Sequence, residues 1–92
     1  MGGFFVSDIE AVEWGAWTVI FDRRWILFIA NDWRLEFALP YKPTPEERKI
    51  AVEMMNAMGE GESYTAELAL RVFRMIEKYL MQKRRREEGY EA

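Results

Sequence analysis

Three runs of aromatic, β-branched and aliphatic residues stand almost end to end in this chain, at positions 17–21, 25–30 and 33–39, separated by Asp22-Arg23-Arg24 and by Asn31-Asp32. Breaks this short read as tight turns between strands, and Asn and Asp suit them because they tolerate left-handed backbone. The runs predict a three-stranded antiparallel meander over residues 17–39. The third run alternates, with Trp33, Leu35, Phe37 and Leu39 on one face and Arg34, Glu36 and Ala38 on the other. The middle run is apolar on both faces, which suits a central strand covered by helices on one side and at least partly covered on the other.

Pro40, Pro43 and Pro45 end the sheet region, since proline cannot donate to a ladder and holds its predecessor extended. Thr44-Pro45-Glu46-Glu47 then combines a cap, a proline at the first helical position and two carboxylates near the positive end of a helix dipole. A helix is expected over 44–58, stopping at Gly59. A second, long amphipathic helix starts near Ser63 or Thr65 and runs to about Glu88, where Gly89 ends it and leaves 89–92 as a tail. Its core face is Ala69, Val72, Phe73, Ile76, Tyr79 and Leu80. The order is that of an α+β fold, a meander followed by a C-terminal helical hairpin, in a single domain over 1–92.

Residues 1–16 admit two readings. Ser7-Asp8-Ile9-Glu10 matches a capping box and Gly15 is placed to close a short N-terminal helix. Alternatively, residues 4–6 and 12–14 are pieces of strand. The N-terminal stretch has no basic region followed by a long apolar one, Val6 breaks the myristoylation pattern, and the longest apolar run, 25–30, is far short of a bilayer span. A cytoplasmic protein without a membrane segment is expected.

The chain of 92 residues is half hydrophobic and 15% aromatic, a composition that folds. A domain this small usually needs a disulfide, a metal or a partner. It has no Cys and no His, so disulfides, thiolate or imidazole metal ligands and every nucleophile–histidine arrangement are excluded. Association remains. One Gln, two Asn and 32% charged residues lean in the direction of thermophile proteins. The carboxylates single out no catalytic or metal-holding pair: Asp8, Asp22 and Asp32 fall at caps or turns. There is no glycine-rich phosphate loop and no nucleophile elbow, and both serines, Ser7 and Ser63, are candidate caps. No catalytic activity, cofactor, metal or small-molecule substrate is expected.

Surplus apolar surface is what points to a function. The first helix carries Met54, Met55 and Met58 beside Ile50, Ala51, Val52 and Ala57, more than one sheet face buries. The expected role is a non-catalytic interaction or regulatory domain working by protein–protein association, as a homodimer or docked on a larger protein. Its interface would lie on the second sheet face around Ile26 and Phe28, or on the methionine flank Met54, Met55 and Met58. The alternative is a nucleic-acid-binding protein that lays Arg71, Arg74, Lys78 and Arg85, extended by Arg84 and Arg86, along phosphates. Residues 63–92 hold seven basic and five acidic side chains, against six and eleven in 1–62. The ordinary explanation is that these cations offset the negative end of the helix and pair with neighbours such as Glu67. Trp14, Trp17, Trp25 and Trp33 beside Arg23, Arg24 and Arg34 resemble a base-stacking platform, but Trp33 shares its face with core residues.

Overall fold

The computed structural model describes residues 8–88. Four strands, β1 (Ile9–Trp14), β2 (Trp17–Asp22), β3 (Trp25–Ala30) and β4 (Trp33–Ala38), form one antiparallel sheet in sequential order. Two helices follow, α1 (Pro45–Gly59) and α2 (Ala66–Glu87). The α+β meander and helical hairpin stand, with one strand more than the sequence reading counted. The short N-terminal helix does not form, because residues 9–14 pair along their whole length with β2, from Ile9 opposite Asp22 to Trp14 opposite Trp17, and the Ser7 cap itself lies outside the described residues. Six rungs of ladder outweigh one local cap. Glu10 and Glu13 had obscured the alternation that sends Val12 and Trp14 to the core. The strand reading at 4–6 and the stop at Gly89 lie outside the described residues.

Each hairpin turns in two residues, and the first of each pair, Gly15, Arg23 and Asn31, has positive φ of 60°, 56° and 44°. Such a twist matches that of the flanking strands. Thr44 caps α1 through a complete capping box with Glu47, and Thr65 caps α2 by accepting from the Leu68 N–H. The helix α1 runs one residue past the expected stop, and it is Gly61, at φ 76°, that takes the left-handed conformation.

Both helices cover one face of the sheet. Trp14, Trp17, Val19, Phe21, Ile26, Phe28 and Leu39 meet Ala51 and Met55 of α1 and Leu68, Ala69, Val72, Phe73, Ile76 and Leu80 of α2. Phe73 stacks on Phe37 of β4 at 4.5 Å, and Trp14, Phe28 and Tyr64 meet edge to face. Tyr79, expected on the core face, is half-buried at its margin.

Candidate functional site

Pairing register settles which side chains face away from the helices. Ile20 lies opposite Leu27 and Ala11, Ile29 opposite Thr18 and Arg34, and Trp25 opposite Asp22 and Ala38. Residues paired across a ladder share a face. The open face is therefore three rows of four: Ile9, Asp22, Trp25 and Ala38; Ala11, Ile20, Leu27 and Glu36; Glu13, Thr18, Ile29 and Arg34. Its centre is aliphatic, with Ile20, Leu27 and Ile29 half-buried by one another and their neighbours. At one end Ile9 is 56% and Trp25 44% exposed. Among the described residues both helices lie on the opposite face.

Charge frames this patch. Arg34 Nε holds Glu36 at 2.7 Å along β4, and Arg23 Nε holds Asp22 at 2.8 Å beside the second turn. On β1, Glu13 accepts from the Thr18 hydroxyl at 3.4 Å. Acid thus stands on the β1 edge and base on the β4 edge of one row.

These positions correct the interface expected from sequence. Ile26 and Phe28 are wholly buried against the helices, because the two-residue period of β3 sends them to the covered side and sends Trp25, Leu27 and Ile29 to the other. Met55 is wholly buried too, while Met54 and Met58 are half-buried. The methionine flank is therefore partly consumed inside the domain. Sequence reading missed Ile20, Leu27 and Ile29 as surface residues, although Thr18, Ile20 and Asp22 alternate with Trp17, Val19 and Phe21 and carry the signal.

The basic run of α2 divides in space. Arg84 lies over the Tyr41 ring, 3.9 Å from its centroid, and 4.0 Å from Glu88. Lys83 joins Glu47 at 3.0 Å and Glu87 at 2.7 Å. Arg71, Arg74, Lys78 and Arg85 stay on the outer face, Arg71 at 4.0 Å from Glu62, and Arg86 is exposed. Met58 and Met75 share a shallow depression with Arg71, Arg74 and Lys78.

One buried carboxylate was not foreseen as such. Glu47 is 2% exposed, bonded to the Thr44 N–H at 2.9 Å, the Tyr41 hydroxyl at 2.9 Å and the Lys83 ammonium. Burial raises its pKa, but these three donors outweigh burial and hold the carboxyl below its ordinary range. Desolvation and the facing Glu47 push Tyr41 up to about 12. An ionised, enclosed and fully partnered carboxylate serves as a tie between the Tyr41 loop, α1 and α2. Among the described residues no group of three Asp or Glu is arranged to hold a metal ion, and no helix is long and apolar enough to cross a membrane. Comparison with known proteins finds no matching family model, curated protein or solved structure.

Proposed function

We propose that this chain is a small non-catalytic interaction module that associates with a second copy of itself through the open face of its sheet. The observation that carries this reading is the aliphatic centre Ile20, Leu27 and Ile29, continued by exposed Ile9 and Trp25, on a face that neither helix covers. Apolar surface returns about 25 cal/mol per Å² when removed from water, and a contiguous patch of this kind on a small domain marks an association site.

Four strands about 4.8 Å apart and six residues long make a face of about 400 Å² in projection. Its size places it at the lower end of specific interfaces, so the dimer should dissociate on dilution. Sedimentation equilibrium over roughly 5 to 500 µM, the span such an interface requires, tests this. A reversible dimer that persists in high salt is expected, and Leu27→Lys should leave a folded monomer. A wild-type chain that stays monomeric throughout overturns the reading.

A second reading is supported by one observation: among the described residues, Arg74, Lys78 and Arg85 have no carboxylate within ion-pair distance on the outer face of α2. Such a row suits phosphates of a nucleic acid. Oligonucleotide affinity that falls steeply with salt and is lost in Arg74→Glu/Lys78→Glu would favour it over association.

A further inference from the structure

We infer that the two copies stack open face on open face about a twofold axis parallel to the strands, so that β1 of each lies over β4 of the other and Glu13 faces Arg34 of the partner subunit. This geometry rests on the self-association proposed above and deepens it. Two observations lead to it: Glu13 and Arg34 stand at opposite edges of the same row, linked through Thr18 and Ile29, and Glu36 occupies the β4 end of the middle row.

In aligned packing, two sheets face to face keep their strands within about 30° of one another, and within that class there are two ways to impose twofold symmetry. If the axis runs across the strands, β4 lies over β4 and the middle row over itself. Glu36 then meets the partner's Glu36, while Glu13 and Arg34 each land on an apolar end of the other row. Like charges brought together at an interface are strongly disfavoured.

If the axis runs along the strands, every row lies over its own counterpart in reverse order. Ile20 then packs on the partner's Leu27, and Leu27 on the partner's Ile20. Glu36 meets the partner's small Ala11 at the rim, where its carboxylate stays in water. Glu13 and Arg34 form a cross-subunit pair at both ends of the row. The two edges lie about 14 Å apart within one sheet, too far to pair inside a single copy. The guanidinium, held by Glu36 through Nε, keeps its other N–H groups for the incoming carboxylate. Symmetry makes two such pairs from one acid and one base.

Charge reversal separates the possibilities. Glu13→Arg and Arg34→Glu, each alone, should raise the dimer dissociation constant about tenfold, since each places like charges together twice. An equimolar mixture of the two variants should restore association to within about threefold of wild type, because the mixed dimer regains both opposite-charge pairs. Circular dichroism of each variant reports whether the monomer itself is intact, and mixing makes the readout independent of any loss within one chain. If wild type dimerises and the mixture is no tighter than its components, the axis is wrong and the association stands. If wild type is monomeric, both fall.

Discussion

The indole N–H of Trp14, the last residue of β1, donates to the main-chain carbonyl of Met55 in α1 at 2.8 Å, with both residues fully buried. This bond crosses 41 positions of sequence and fastens the edge strand to the helix that covers it. It also explains why β1 forms as a strand: Trp14 gains a polar partner and a place against Phe28 and Tyr64 only when the segment pairs with β2. Trp14→Phe removes the donor and part of the packing. A loss of about 2–4 kcal/mol is expected, read as a lower urea midpoint at unchanged slope.

Glycine is required where this corner closes. A methyl group at Gly15, at φ 60°, would collide with the Tyr64 ring, and one at Gly59 would sit 2.7 Å from the Tyr64 hydroxyl and 2.8 Å from the Trp14 indole nitrogen. Gly59 lies in a helix, where alanine is ordinarily better by about 1 kcal/mol. Here Gly59→Ala should destabilise instead. Gly15→Ala should cost more, and Gly61→Ala, with open space around it, about 1 kcal/mol from its backbone alone. Thermal melts of the three variants check the order.

Acid should loosen the tie at Glu47. Its folded pKa is depressed, so the stability it contributes is present above the unfolded value of 4.5 and is lost as pH falls through the lower folded value. Urea titrations from neutral pH downward should show that loss, and Glu47→Gln should flatten it. At the alkaline end the sign reverses. Tyr41 is raised from 10.0 to about 12, so its contribution is whole below pH 10 and disappears as pH rises through 12. Tyr41→Phe should abolish that alkaline loss.

Neighbouring residues on β3 should respond oppositely. Ile26 is wholly buried beneath the helices, and Ile26→Ala should cost about 2–4 kcal/mol of unfolding free energy. Leu27 faces the open side, and Leu27→Lys should change monomer stability by no more than about 1 kcal/mol while abolishing association. Equal destabilisation by both would mean that the second face is covered within one chain.

Arg74→Glu and Lys78→Glu should leave both stability and dimerisation within about 0.5 kcal/mol of wild type, because neither side chain has an ion-pair partner among the described residues. A larger shift in the dimerisation constant would bring α2 into the interface.

Several elements were legible because each rests on neighbours in sequence. Thr44-Pro45-Glu46-Glu47 starts a helix by satisfying its own first turn, and Asn31-Asp32 reverses the chain through residues that accept the required backbone angles. The alternation of residues 33–39 announced the two faces of β4. β1 was ambiguous for the same kind of reason: a local cap at its start competed with pairing whose partner, β2, lies on the far side of a turn. Arg23, which carries a positive φ with a long unbranched side chain, gave no local sign of being the turning residue.

What the sequence determined by itself is therefore the periodicity: the strand runs, the caps and the core stripe of α2, all products of contacts within a few residues. Tertiary structure alone decided which face of β3 the helices would cover, and so whether Ile26 or Leu27 would be left outside. Both faces of that strand are apolar, and an apolar residue carries no mark of its side. The choice came from Trp14 on β1 and Trp17 and Phe21 on β2, whose bulk is buried only if α1 and α2 close over their side of the sheet.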